Sequence, residues 1–338
     1  MNAPQKFPFA RTSAGPAPLR RPGSIRRTSS IDSRWPAGLG QPWYLEGRAQ
    51  DLFTPIECGA PSVIAHGEFR ITASPMREIL DVEIAPSHPR SHQLVGVRAG
   101  GASRVALGGI MGDVRGGPLY QLLDDFAGAS LVAGWIWSQW NPDWRMDRAI
   151  PKGMKGPREG VCTGFAPGAS AMASDGSVKL NHSSTVVGPF DNPDDPSGWH
   201  ALPAQAGPQS RRARRIDLWR EGGLIKIDAA FQDSGPCPPG EGTETNPDGV
   251  RIAIHEYRVH AEIDPATGVL TTMQVLPLIL PFQECPGASI KATRMIGQKV
   301  CDFRGAVIET LPTTMGCTHL NDVLRGLSDV PALAAALA

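Results

Sequence analysis

Alternating apolar and polar residues predict a run of β-strands in the first third of the chain. The alternation is clearest over residues 43–53, 63–73 and 79–85, and a period of two is typical of strands with one buried face. A helical pattern takes over after Gly117 and continues into an apolar stretch near Trp135. Strands followed by helices indicate an α+β fold with antiparallel sheets.

The same order of elements returns in the second half of the chain. Residues 211–217 repeat the arginine pair and the Ile-Asp of residues 26–32 at identical spacing. Strand-like alternation follows over 252–263, and Leu-Asn-Asp-Val-Leu at 320–324 parallels Leu-Tyr-Gln-Leu-Leu at 119–123. Matches in the same order predict an internal duplication. We therefore predict two similar units, each an antiparallel sheet with helices, packed as a pseudo-dimer.

These patterns divide the chain into four segments. Residues 1–23 are basic and proline-rich but lack the apolar core of a secretory signal, and we expect a disordered leader there. The two units span residues 24–140 and 208–338. Residues 141–207 between them are rich in glycine, proline, serine and aspartate. Such a composition predicts either a solvated linker or an insert that covers a site.

The overall composition narrows the class of protein. The 338 residues carry 33 lysines and arginines against 33 aspartates and glutamates, so no net charge attracts nucleic acid or anionic membranes. No apolar run approaches the ~20 residues that span a bilayer. Six cysteines scattered over the chain fit reduced thiols in the cytoplasm. We expect a cytoplasmic protein with a small-molecule substrate and without nucleic-acid or membrane partners, and a homo-oligomer is compatible with this.

The side chains best suited to catalysis or metal binding lie in the second unit. The pleat of strand 252–263 places His255 with the apolar residues that face the core, while Glu256 falls on the opposite, solvated face. Residues 316–320, Gly-Cys-Thr-His-Leu, put a thiol and an imidazole two residues apart at a predicted helix start. The field of a helix N-terminus favours a thiolate. The arginine-rich residues 211–215, by contrast, are predicted to be solvated at the start of a strand.

Three kinds of site are compatible with these side chains. Two thiols and two imidazoles are a suitable ligand set for zinc, and they come from His255, Cys285, Cys317 and His319. In a second arrangement, Cys317 is a nucleophile and His319 or His255 is its general base. A metal-activated water on an open site is the third, and it requires one of the four residues to stand away from the ion. Each residue alone also has a structural explanation, as a satisfied core histidine or a small buried thiol.

The order of motifs in the second unit resembles a bacterial protein family. Arg-Arg-x-x-x-Ile-Asp at 211–217 is followed by Ile-His at 254–255, Cys-Pro at 285–286 and Gly-Cys-Thr-His-Leu at 316–320. This order resembles the domain of unknown function DUF2889. The first unit resembles it only in outline, so the chain would be a diverged double copy.

In that alignment the first unit lacks the candidate chemistry. Gly116 takes the place of Cys317 and Pro118 takes the place of His319. His66 matches His255 only with one extra residue, such as a bulge at Gly67. The resemblance supports the constellation of four residues in the second unit but implies no reaction.

We expect an enzyme of bacterial small-molecule catabolism, acting on an aromatic or other apolar compound. It would be a hydrolase, or a lyase or isomerase that needs no cofactor, with its Cys/His site in the second unit. No Walker-type loop and no Gly-x-Gly-x-x-Gly after a strand indicates a nucleotide cofactor. The alternative is a ligand-binding or assembly protein in which the same four residues hold a structural zinc ion.

Overall fold

In the computed structural model, residues 4–9, 11–57, 59–141, 143, 159–173, 178, 184–238 and 250–337 are described. Within these ranges nine strands form one antiparallel sheet, and helices pack on it. The strands are β1 (Ser24–Arg34), β2 (Trp43–Thr54), β3 (Ser62–Ala73), β4 (Ile79–Ala85), β5 (Thr185–Val187), β6 (Ser210–Glu221), β7 (Leu224–Pro236), β8 (Arg251–Ile263) and β9 (Leu270–Ile279). The helices are α1 (Gly101–Ile110), α2 (Pro118–Trp140), α3 (Gly287–Ala292), α4 (Phe303–Thr310), α5 (Thr318–Gly326) and α6 (Val330–Ala334). The predicted α+β class is confirmed.

The two predicted units meet at the middle of the sheet. Its strand order is β4-β3-β2-β1-β6-β7-β8, and both β5 and β9 pair with the outer edge of β8. Antiparallel pairing of β1 with β6 sets Arg26 against Asp217 and Asp32 against Arg211. These two ion pairs, with distances of 2.7 Å and 2.6 Å, are related by an approximate two-fold axis at the middle of the paired strands. Such a repeat supports the pseudo-dimer, which stays a prediction.

Helices cover one face of the sheet. The 23-residue helix α2 begins at Pro118, where a residue without an N–H group is tolerated, and it crosses β1, β2 and β3. Gly67 of β3 permits its close approach, because a Cβ there would lie 2.6 Å from the backbone of Leu119. In the second unit the short helices α3 to α6 enclose an apolar core with β6 to β9, to which Phe303 and Leu320 belong.

The opposite face is covered by the N-terminal segment. Ser13 and Ala14 donate hydrogen bonds to the carboxylate of Glu256, at 3.0 Å and 2.6 Å, and Arg20 forms an ion pair with Asp195. Glu256 is consequently 1% exposed. The structure differs here from the predicted solvated face and disordered leader, because the polar leader supplies the hydrogen bonds that these buried carboxylates require.

One part of the insert, residues 185–200, lies at the edge of the sheet and on this same face. Strand β5 joins the edge of the sheet, while Phe190 and Trp199 pack with Ala213 and Ala230. His200 lies between two hydroxyl groups of β1. Residues 159–173 pack elsewhere, against the segments that precede α3 and α5: Thr163 N donates a hydrogen bond to the Gly316 carbonyl and Ser170 N donates one to Glu284, each at 2.9 Å. The insert residues 142, 144–158, 174–177 and 179–183 lie outside the described residues.

The arginine-rich stretch at the start of β6 also differs from its predicted solvation. Each of its guanidinium groups contacts a carboxylate, namely Arg212 that of Asp233, Arg214 that of Asp125 and Arg215 that of Asp228. These three arginines are 2%, 3% and 2% exposed. A buried guanidinium is tolerated when a hydrogen-bonded carboxylate neutralises it. The stretch is therefore part of the interior.

Candidate metal centre

Two histidine rings and a carboxylate meet between the sheet and α5. His255 of β8 and His319 of α5 stack with their ring centroids 3.6 Å apart and their planes inclined by 20°. Asp233 of β7 extends its Oδ2 to 3.8 Å from His255 Nδ1 and 3.6 Å from His319 Nε2. One ligand atom from each of the three residues lies within 4.8 Å of the other two. The three side chains can therefore share one ion.

The local backbone brings these side chains together. Asp233 pairs with His255 across β7 and β8, and the register shifts directly after Asp233, as in a β-bulge that changes the direction of a side chain. His255 alternates with the fully buried Tyr257 and Val259, which is the predicted core face. His319 is the second residue of α5, and this helix packs on β7.

The three candidate ligands are buried and incompletely paired. Asp233, His255 and His319 are 2%, 7% and 8% exposed. His255 Nδ1 and His319 Nε2 have no hydrogen-bond partner among the described residues, since distances of 3.6 Å and 3.8 Å to the carboxylate are too long. Burial lowers the pKa of both histidines well below the usual value, and Arg212 lowers it further. Both rings are neutral at pH 7, the form that binds metals.

Arg212 binds both carboxylate oxygens of Asp233. Its Nε and Nη2 donate hydrogen bonds to the two carboxylate oxygens at 2.9 Å and 3.1 Å, and its Nη1 donates to Asp322 Oδ2 at 3.0 Å. Burial raises the pKa of Asp233 to about 6, although Arg212 acts in the opposite direction. At neutral pH the carboxylate is thus mostly ionised yet poorly solvated, a state that a bound cation would stabilise.

The predicted cysteines lie beside this group and do not belong to it. Cys317 Sγ is 3.8 Å from His319 Nδ1, whereas it is Nε2 of the same ring that faces Asp233. Because the two ring nitrogens point in different directions, an ion at Nε2 would lie away from this thiol. Cys285 lies in the neighbouring apolar core. Of the four predicted ligands, the structure brings His255 and His319 to one point and adds Asp233 there.

Burial also decides the state of the thiols. It raises the pKa of Cys317, and it raises that of Cys285 well above the usual value. Cys162, in the insert, is raised to about 12 by the same cause. These thiols are therefore protonated at neutral pH. The thiolate expected at the start of α5 does not form, because the loss of solvation outweighs the field of a nine-residue helix.

Asp233 is the residue that sequence reasoning missed, although a signal for it exists. The dipeptide Gln-Asp occurs at 50–51 and again at 232–233, and each aspartate pairs with an arginine of the neighbouring strand, Asp51 with Arg27 and Asp233 with Arg212. Asp51 in turn faces Ala65 where Asp233 faces His255. By this register the residue that corresponds to His255 is Ala65, next to His66.

Fold and site together define an α+β protein with a buried centre of two imidazoles and one carboxylate in its second unit. Residues 210–333 match the family described as "Protein of unknown function (DUF2889)". The predicted family is thereby confirmed for the second unit, and the matched segment contains all three residues of the centre. Comparisons with curated proteins and with solved structures found no match. No helix in the described part of the chain is long and apolar enough to cross a membrane.

Proposed function

We propose that the protein is a metal-dependent enzyme of small-molecule catabolism whose ion is held by Asp233, His255 and His319. One observation carries the proposal: two buried ring nitrogens that have no hydrogen-bond partner among the described residues face the same carboxylate oxygen. Leaving a buried polar atom unpaired costs about 1–3 kcal/mol. A single divalent cation would satisfy all three groups at once.

The spacing of the three groups suits an ion such as zinc. Zinc lies about 2.0–2.2 Å from nitrogen and oxygen ligands, so neighbouring ligand atoms of a tetrahedral site are roughly 3.3–3.5 Å apart. The observed distances of 3.6 Å and 3.8 Å from Asp233 Oδ2 are slightly longer, and the two rings are stacked, so binding of an ion would turn the rings towards each other and shorten these distances. Two histidines and a carboxylate are also the ligand set of non-haem ferrous sites, which makes ferrous iron the second metal to consider.

A three-residue ligand set supports catalysis better than a purely structural role. Structural zinc sites use four protein ligands, whereas catalytic sites use three and keep one position for water or substrate. An ion here would activate a water near neutral pH or polarise a substrate carbonyl. Hydrolysis is the reaction class that this supports best, followed by a lyase or isomerase step next to a carbonyl group. The protonated thiol of Cys317 supports a nucleophilic cysteine less well.

The surroundings of the centre support an apolar substrate. Phe231 lies 6.2 Å from the His319 ring, centroid to centroid, and Phe231, Tyr257 and Leu320 are fully buried. Aromatic and apolar side chains on one side of a polar centre are typical of pockets for small organic molecules. Aromatic or other apolar compounds are therefore the first substrates to test.

A structural metal site in a ligand-binding or assembly protein is the second candidate. It is favoured by the burial of all three ligands, each less than one tenth exposed. In that case removal of the ion would unfold the second unit. In the enzyme, chelation would abolish turnover while the protein stays folded.

The metal content of the purified full-length protein tests the proposal. We expect one zinc or iron ion per chain in the wild type, and loss of the ion in Asp233→Asn and His319→Gln. His260→Gln is the matched control, since His260 lies on the same strand as His255 with its side chain 41% exposed, and it should keep the ion. Metal retained by both site variants would refute the assignment.

Turnover separates the two candidates. The metal-loaded protein would be assayed against small aromatic esters and amides before and after chelation, with circular dichroism recorded in parallel. We expect hydrolysis that chelation removes and added metal restores, without a change in secondary structure. Unfolding on chelation and no turnover with loaded protein would favour the structural site.

A further inference from the structure

We infer that Cys317 is a positioning residue for His319: its sulfur accepts a hydrogen bond from the Nδ1–H group and so directs the Nε2 lone pair towards the ion. The inference rests on the proposed metal site and assigns the thiol a role other than ligand or nucleophile. Its basis is the contact of 3.8 Å between Cys317 Sγ and His319 Nδ1, which is within hydrogen-bonding range for sulfur.

The two sides of the His319 ring differ in their neighbours. A neutral imidazole carries one N–H and one lone pair. Around Nδ1 lie two groups that can either accept or donate a hydrogen bond, the thiol of Cys317 and the hydroxyl of Thr318 at 3.3 Å. Around Nε2 lies the carboxylate of Asp233, too distant to accept a hydrogen bond. Each of these two groups can accept the Nδ1 proton, so a ring that turns its Nε2 lone pair towards an ion keeps a hydrogen bond at Nδ1. Metal-bound histidines commonly donate their second ring N–H in this way.

Cys317 is itself held in place from two directions. It is the N-cap of α5, and its carbonyl accepts the hydrogen bond of Asn321 N at 2.8 Å, so its backbone is fixed by the helix. From β8, the hydroxyl of Tyr257 lies next to the thiol. This hydroxyl is fully buried and has no other partner among the described residues. A short chain of polar groups thus leads from the sheet through Cys317 to His319.

The first unit supports the link between this thiol and the ligand. In the aligned positions Gly116 replaces Cys317 and Pro118 replaces His319. The position without an imidazole also lacks the side chain that would orient it. There, the Gly116 carbonyl accepts a hydrogen bond from Arg27 Nη2 at 2.7 Å.

Metal affinity and cobalt spectra of the full-length protein test the inference. We expect Cys317→Ala to weaken zinc binding about 10- to 100-fold and Cys317→Ser, which keeps an acceptor, to restore most of the loss. Cys301→Ser, at an exposed thiol, is the matched control and should bind like the wild type. The cobalt-substituted wild type should lack a sulfur-to-cobalt charge-transfer band.

Each failure has its own signature. A charge-transfer band that disappears in Cys317→Ser would make Cys317 a ligand and overturn the inference. Unchanged affinity in Cys317→Ala would overturn it as well, while the metal site would stand. A wild type that binds no metal at all would remove the proposed function.

The tautomer of His319 can be read without any variant of Cys317. Nitrogen NMR of the zinc-loaded wild type, with His319 assigned by loss of its signals in His319→Gln, should show the proton on Nδ1. A proton on Nε2 would overturn the inference even if the alanine variant fails to fold.

Discussion

The same buried arginine–aspartate pair occurs in both units, but only the second unit adds imidazoles to it. In the first unit Arg27 binds Asp51 at 2.6 Å and contacts Gln121 of α2 at 3.5 Å. In the second, Arg212 binds Asp233 at 2.9 Å and Asp322 of α5 at 3.0 Å.

The strands around the two pairs also correspond. Each aspartate is followed by a register shift in its pairing with the next strand. Ala65 faces Asp51 where His255 faces Asp233, and Pro118 stands at the start of α2 where His319 stands in α5. The comparison separates a scaffold shared by both units from a centre that two histidines create in one of them.

Removing the shared arginine should have the largest effect in both units. We expect Arg27→Met and Arg212→Met each to lower the free energy of unfolding by about 3–5 kcal/mol, because each leaves buried carboxylates without their partner. Urea titration measures this. Only Arg212→Met should also weaken metal binding. Weakened binding in Arg27→Met would contradict the separation of scaffold and centre.

Metal should stabilise the protein through the second unit alone. At a free metal concentration 100-fold above Kd, the wild type should gain about 2.7 kcal/mol, seen as a higher melting temperature. His255→Ala should gain nothing. The control Ala65→Ser changes the corresponding position of the first unit and should respond like the wild type. If metal raised the melting temperature of His255→Ala as much as that of Ala65→Ser, the assignment would be disproved.

The close approach of α2 in the first unit predicts a smaller effect. Gly67 faces Ala49 as Tyr257 faces Phe231, so a glycine stands where the second unit has a tyrosine. Gly67→Ala should cost about 1–3 kcal/mol, because the new methyl group would press on Leu119. Gly109→Ala in α1, with no atom within 4 Å of the added Cβ, should be neutral or slightly stabilising in the same denaturation experiment.

The smallest effect concerns His200, on the face that the insert covers. It lies 2.8 Å from Thr28 Oγ1 and 2.7 Å from Ser30 Oγ, and burial, aided by Arg211 and Arg48, lowers its pKa to about 3. Between that value and the unfolded pKa of about 6.5 the unfolded chain binds more protons, so this contribution to stability falls as pH falls.

Comparing stability at pH 7 and pH 5 measures the His200 contribution. His200→Gln should lose about 1–2 kcal/mol less than the wild type over this range, although it starts from a lower stability. If both proteins lost the same stability between pH 7 and pH 5, His200 would titrate normally in the folded state.

The sequence predicts the strands and helices of this protein better than the residues of its candidate metal centre. The alternation of apolar and polar residues predicts strands at 43–53, 63–73 and 79–85, and the structure has them at 43–54, 62–73 and 79–85. Periodicity reports which face of an element is buried, and it put His255 on the core face. It carries no information on which buried groups of different strands meet.

Three differences between prediction and structure arise because sequence patterns do not show which buried groups meet. Asp233 escaped notice because a carboxylate inside a strand looks solvated until its arginine is identified, and the arginines of 211–215 look solvated for the same reason. Cys317 and His319 are adjacent to one helix start, but opposite nitrogens of the ring face the thiol and the carboxylate. Sequence spacing cannot distinguish these directions.

Anomalous scattering from a crystal grown with zinc would test the central claim most directly. We expect one strong peak within bonding distance of Asp233 Oδ2, His255 Nδ1 and His319 Nε2, and no equivalent peak beside Asp51. A peak between the thiols of Cys285 and Cys317, or none near the two histidines, would contradict the proposed centre.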